Sequence, residues 1–236
     1  MAFFQACNKS DSVVKTSNTL ELISSYKINV SEPSGLAIST NGTELFTVSD
    51  NTNNIYKLSV TGDILKEFQF TGNDLEGIST YTAGKLLISE ERTKQIIEFD
   101  INTQNFTTQT IDYKNQDANS GIEGICYNPN TKAIYILNEK NPGLLIELDT
   151  SFSIVSTVEL KFASDYSGIF YDVSLNVLWI VSDQSKTLNK CKLNGDLIKE
   201  YQLKLSKAEG VAVTSNKIYI VSDSENKLYV FNKPTK

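Results

Sequence analysis

Pro33-Ser34-Gly35-Leu36-Ala37-Ile38-Ser39-Thr40-Asn41-Gly42-Thr43-Glu44-Leu45-Phe46-Thr47-Val48-Ser49-Asp50 reads as one hairpin. Gly35 to Ser39 is a short apolar strand, and Thr40-Asn41-Gly42-Thr43 carries the Asn-Gly pair that favours a tight turn. Leu45 to Val48 is a continuous apolar run, the pattern of a strand covered on both faces. A polar loop from Asp50 to Asn54 leads to a third strand, Ile55-Tyr56-Lys57-Leu58. Thr61-Gly62-Asp63 then turns the chain into Ile64 to Phe70, an outer strand with a more exposed face. Four short strands joined by three turns make one small antiparallel sheet, with little left over for helices.

The same phrase recurs four more times. Leu75-Glu76-Gly77-Ile78, Ile122-Glu123-Gly124-Ile125, Tyr166-Ser167-Gly168-Ile169 and Ala208-Glu209-Gly210-Val211 open the other copies. Each Gly is answered 13 or 15 residues later by an acid that ends the second strand: Asp50, Glu90, Glu139, Asp183 and Asp223. Successive glycines stand 42, 47, 44 and 42 residues apart. A repeat of about 44 residues built from short β-type runs is the signature of propeller blades. The last copy stops after its third strand, Leu228 to Phe231, and the missing fourth strand lies at the other end of the chain. Leu22-Ile23-Ser24-Ser25-Tyr26-Lys27-Ile28 aligns without gaps on Leu197-Ile198-Lys199-Glu200-Tyr201-Gln202-Leu203, the outer strand of the fourth copy. The expected fold is therefore all-β, a five-bladed β-propeller whose last blade is closed by the N-terminal strand. Closure in this way removes two open sheet edges.

The 236 residues divide into a polar N-terminal tether, residues 1–18, and a single propeller domain, residues 19–233. The net charge of −6 comes without any run of basic residues, so nucleic acid is not an expected partner. Histidine is absent altogether, which removes imidazole bases, Ser-His-Asp triads and imidazole metal ligands. A resident metal would have to be held by oxygen, which favours calcium or magnesium. Of the three cysteines, Cys126 and Cys191 lie in apolar strand patterns of different repeats and read as free, buried residues. Cys7 follows Ala6 and the apolar stub Ala2-Phe3-Phe4. That segment resembles the end of a bacterial lipoprotein signal, in which the Cys after a small residue is acylated, with six residues preceding Cys7 in place of a full apolar segment. It implies membrane association through a lipid on Cys7 alone; with Cys7 unacylated and the N-terminus an ordinary one, the expected place is secreted or periplasmic.

Blade geometry says where the acids go. The connection from an outer strand to the next inner strand emerges on the same face as the loop between second and third strands. The residue before each repeat Gly therefore stands at that face near the axis, and the acid ending each second strand stands there further out. The inner set is Glu76, Glu123 and Glu209, with Ser34 and Ser167 completing the ring. The outer set is Asp50, Glu90, Glu139, Asp183 and Asp223. An acid at the start of a tight polar loop commonly accepts backbone N–H bonds and fixes the turn, which is the plainer account of the outer set. No shared backbone requirement demands the inner glutamates. Three carboxylates around a narrow axis repel one another and pay for desolvation, so they must raise their pKa, recruit water or bind a cation. Glu76, Glu123 and Glu209 are thus the expected metal ligands, calcium the expected ion, and the serines and outer acids the expected ligand-binding rim.

The Ser/Glu-Gly-aliphatic opening, the Val-Ser-Asp ending and phrases such as Leu65-Lys66-Glu67-Phe68 together resemble the SdiA-regulated family of bacterial envelope propellers. The resemblance spans roughly residues 19–233. It implies a propeller outside the cytoplasm, in the cell envelope, in a family without an agreed biochemical activity. It also implies distant similarity to NHL-type and gluconolactonase-type propellers. In the latter a Glu-Gly at the start of an inner strand supplies a calcium ligand, the local position of Glu76, Glu123 and Glu209. The expected function is an envelope-anchored, monomeric binding module for a divalent cation or small polar ligand. A protein-interaction scaffold, with another envelope protein as partner, and a calcium-dependent hydrolase of phosphoesters, esters or lactones stay open beside it.

Overall fold

The computed structural model describes residues 18–114 and 120–234, so Cys7 and nearly all of the N-terminal tether lie outside the described residues. Strand β1 (Leu22–Lys27) is followed by four complete blades. The first is β2 (Pro33–Ile38), β3 (Glu44–Ser49), β4 (Ile55–Ser59) and β5 (Ile64–Phe68). The second is β6 (Leu75–Thr80), β7 (Lys85–Glu90), β8 (Gln95–Asp100) and β9 (Phe106–Thr110). The third is β10 (Ile122–Asn128), β11 (Ala133–Asn138), β12 (Leu144–Leu148) and β13 (Ile154–Glu159). The fourth is β14 (Gly168–Asp172), β15 (Val177–Ser182), β16 (Thr187–Cys191) and β17 (Leu197–Gln202). The last three strands, β18 (Ala208–Val213), β19 (Lys217–Ser222) and β20 (Lys227–Asn232), form the fifth blade with β1 on its outer edge. Among the described residues there is no helix, and the five antiparallel sheets form the ring of a five-bladed propeller.

Ring closure is as the sequence implies: β1 pairs antiparallel with β20, from Leu22 opposite Phe231 to Lys27 opposite Lys227. The core is not one mass but five clusters, one at each interface between blades. Second strands are sandwiched between neighbours on both faces, and Leu45, Val48, Ile88, Ile136, Ile180 and Ile220 are fully buried. This is why their apolar runs are continuous rather than alternating. Outer strands face solvent, and their second residues, such as Leu65, Val155 and Ile198, remain exposed. Cys126 and Cys191 are buried and free.

The repeat glycines meet at the axis. A Cβ on Gly35 would lie 2.5 Å from the Glu76 carbonyl oxygen and 2.7 Å from the Ile78 nitrogen, both backbone atoms of the next blade. Gly77 meets the Ile125 nitrogen in the same way, and Gly210 the Leu36 nitrogen. The five glycines and the residues after them close the axis so tightly that no water fits between them. The propeller has a floor here, and the space above it is a cup.

Candidate functional site

All five residues that precede the glycines, Ser34, Glu76, Glu123, Ser167 and Glu209, line this cup, which encloses about 230 Å³. Their positions follow from strand entry: each is the second residue of an inner strand, or in Ser167 the residue just before one, directly above the glycine floor. The serines serve their neighbours. The Ser34 hydroxyl donates to Glu76 Oε2 at 2.5 Å, and the Ser167 hydroxyl hydrogen-bonds Glu209.

Four of the five expected outer acids, Asp50, Glu139, Asp183 and Asp223, reach the cup. Glu90 does not. Its backbone lies inside β7, paired with Leu75, whereas the other second strands end one residue before the acid. Its side chain is buried and accepts from the Asn73 N–H at 2.7 Å and from the Thr93 hydroxyl. The residue equivalent to Asp50 is Glu91. The N–H groups of Asp50, Glu91, Glu139 and Asp223 each donate to the carbonyl three residues before a repeat Gly: Glu32, Asp74, Gly121 and Lys207. Glu90 thus carries the turn-fixing role that the sequence allows for the whole outer set. Elsewhere the preceding serine does that work: Ser49 accepts from the Thr52 N–H and donates to the Ser31 carbonyl, and Ser182 accepts from the Ser185 N–H.

The inner glutamates do not form one common ligand set among the described residues. Each joins the outer acid of the preceding blade. Asp50, Asp74 and Glu76 bring carboxylate oxygens within 4.8 Å of one another, and so do Glu91, Glu123 and Glu139. The remaining glutamate repeats the arrangement with one change. Asp74 stands three residues before its glycine, and Lys207 stands at the same place before Gly210. Its ammonium lies 4.0 Å from Glu209 Oε1. One interblade position is supplied with a cation by the chain itself, while its two counterparts hold acids alone or with rim cations. Those rim cations are Arg92 on Asp74, at 2.5 Å, and Lys140 on Glu139, at 2.6 Å.

Burial dominates the electrostatics. Desolvation in the cup raises the Glu209 carboxyl to about 8, against the opposing pull of the Lys207 ammonium and the Ser167 hydroxyl. It lifts Glu76 and Glu123 well above the usual carboxylate range, with neighbouring acids adding to the rise in both. Glu91 is raised to about 7 by burial and then by Asp74, and Asp50 to about 6 by burial and then by its hydrogen bond with Asp74. Burial also works to lower Lys207, but Glu209, Asp183 and Asp223 outweigh it and hold the ammonium above its ordinary value. The cup carboxyls therefore hold protons more tightly than ordinary carboxyls do, and an incoming cation would compete with those protons.

Sequence reasoning missed Glu32, Asp74, Glu91, Asp165 and Lys207. A signal for most of them was present: Glu32, Asp74, Asp165 and Lys207 all stand three residues before a repeat Gly. Of these, Asp165 is consumed internally, accepting from the Ser182 hydroxyl and the Gln184 N–H.

The architecture is shared with solved propeller-like proteins. A glutaminyl cyclase from Myxococcus xanthus matches with a TM-score of 0.71 at 13% identity, covering 92% of this chain and 98% of that one. A virginiamycin B lyase from Staphylococcus aureus, solved with quinupristin, matches with a TM-score of 0.54 at 17% identity, covering 86% of this chain and 66% of the lyase. This chain thus spans just under two thirds of that enzyme's length. A streptogramin B lyase gives 0.55 at 20% identity, over 90% and 73%. At these identities the likeness is one of fold. The S. aureus lyase was solved as a catalytically inactive variant with a histidine replaced by alanine, and this chain contains no histidine. The family model described as SdiA-regulated matches residues 20–232, nearly the whole propeller. The chain belongs to the SdiA-regulated family.

Proposed function

We propose that the protein is a binding module whose acidic cup takes a cation, a divalent metal such as calcium or a small cationic ligand, and that it works in the cell envelope, held there by a lipid on Cys7. The observation that carries the cation reading is Lys207. Of three equivalent interblade positions, one places the chain's own ammonium within the site, 4.0 Å from its glutamate. The other two gather three carboxylates each at or beside the cup, where, among the described residues, the cations, Arg92 and Lys140, pair only with Asp74 and Glu139 and not with the inner glutamates. Oxygen-only ligand sets of this kind suit a hard divalent ion. Asp50, Asp74 and Glu76 would hold one ion, and Glu91, Glu123 and Glu139 a second.

Such an ion must compete with protons, because the cup carboxyls are raised. Binding is expected to strengthen as pH rises from about 6 to about 8, with protons released on binding. Calorimetry with calcium chloride in two buffers of different ionisation enthalpy tests this directly. A buffer-dependent heat that vanishes in Glu76→Gln/Glu123→Gln is expected. No heat with calcium, magnesium or a diamine such as putrescine would sink the proposal. The anchor is tested separately, by partition of the full-length chain into a detergent phase. Loss of that partition in Cys7→Ala is expected, and equal partition of both chains would remove the anchor.

A further inference from the structure

The opposite end of the propeller axis has a second cavity, of about 380 Å³, with contrasting chemistry. It lies below the glycine floor, where the inner strands of all five blades end. Its walls are aromatic and aliphatic: the rings of Tyr81 and Tyr127 meet edge to face with centroids 4.7 Å apart, and Phe170 stands in the same lining. All three rings are only partly buried, so they present surface to the cavity. The one charged side chain in the lining is Asp172, and it is spent on Lys233 at 2.6 Å and on the Trp179 indole at 3.1 Å. The cavity is therefore neutral. A second observation is independent of its shape. Thr40, Thr80, Tyr81, Tyr127 and Ser215 all line it, and their hydroxyls hydrogen-bond no protein group among the described residues.

We propose that this cavity binds a small neutral aromatic molecule that carries at least one hydrogen-bonding group. Its ring lies against Tyr81, Tyr127 and Phe170, and its polar edge meets the free hydroxyls of Thr80, Tyr127 and Ser215. The volume falls in the range of pockets that bury most of a drug-sized ligand, and such pockets are apolar with a few placed polar groups. Edge-to-face and offset contacts with the tyrosines favour a flat ring. A charged ligand finds no counter-ion there, because the one carboxylate is already paired, and it would lose its hydration without compensation.

Saturation-transfer NMR on the intact chain tests the site with p-cresol and indole as neutral probes. Benzoate, benzylammonium and methyl glucoside serve as controls. Both neutral rings are expected to receive saturation. Ser215→Trp, a change at an exposed rim position, and Tyr127→Ser are each expected to weaken their binding at least tenfold. Melting curves confirm that both variants fold, and Glu123→Gln, in the cup, should leave binding unchanged. The proposal is overturned if neither neutral ring binds at millimolar concentration. It is equally overturned if both variants bind like the parent, or if a charged ring or the glucoside binds as tightly.

Discussion

Glu209 shows how a single residue couples the cup to pH. Its carboxyl titrates near 8 in the folded protein, against 4.5 for an ordinary glutamate. A raised carboxyl pKa means that the folded state holds the proton more tightly than the unfolded state. The associated stability is fully present below about 4.5 and is lost as pH rises through about 8. Glu91, at about 7, and Asp50, at about 6, act in the same direction. The metal-free protein should therefore melt at progressively lower temperature between about pH 5 and pH 8. At ~1.4 kcal/mol per pH unit of displacement, Glu209 alone contributes on the order of a few kcal/mol. Glu209→Gln should raise Tm at pH 8, leave it nearly unchanged at pH 5, and flatten the slope between. Lys207→Met should do the reverse at pH 8, because the ammonium that offsets Glu209 is gone, and millimolar calcium should restore part of the loss. Melting curves across that pH range, with and without calcium, check each of these.

At the scale of the strand, β7 is the instructive element. It ends on Glu90, which pairs with Leu75 as Ser49 does with Pro33, so Glu90 is buried in the serine's place and Glu91 takes the position of Asp50. Glu90→Gln should lower Tm, since the side chain holds the Asn73 N–H and the Thr93 hydroxyl, while leaving calcium binding intact. Glu91→Gln should weaken calcium binding and raise Tm at pH 8; calorimetry and melting curves on the pair separate the roles. The contrast marks how far a sequence can be read. Strand order, ring closure and the inner ring follow from period and polarity, because burial on both faces leaves a continuous apolar run and the Gly leaves a fixed point in each repeat. A one-residue offset of the acid leaves no such trace: Ser89-Glu90-Glu91 offers two adjacent acids, and only the pairing of Leu75 with Glu90 selects between them. Lys207 and Asp74 are hidden for another reason. Their equivalence lies three residues before the Gly, in a loop where no apolar pattern marks position. The glycine itself carries a sharper expectation. Gly35→Ala puts a Cβ 2.5 Å from a backbone oxygen at a φ of +31°, and neither blade can yield without moving the other. A fall in Tm of roughly 10 °C or more is expected, read by calorimetric melting.

For the whole molecule, stability depends on keeping the ring shut. Two devices do so where the chain ends meet. The first is β1 on β20. The second is the Lys233–Asp172 pair, which links the fifth blade to the fourth with both side chains about 5% exposed. Burial alone would raise Asp172, but Lys233, Ser174 and Trp179 together hold its carboxyl below the ordinary range. Lys233→Ala leaves that charge buried without its ammonium and should cost about 3–5 kcal/mol, measurable by denaturant unfolding. Starting the chain at residue 29 exposes the edge of β20, a template for pairing with another chain. Size-exclusion chromatography should then show larger species than the parent gives.

The glycine floor has a consequence for traffic. A propeller bored through along its axis could act as a conduit, admitting a molecule at one end and releasing it at the other. Here the bore is blocked midway by five backbones. Whatever enters the acidic end must leave by the same door, and whatever sits at the aromatic end never meets it. The two ends are separate rooms that share a wall, and occupancy of one can be sensed in the other only as a push on the strands between them.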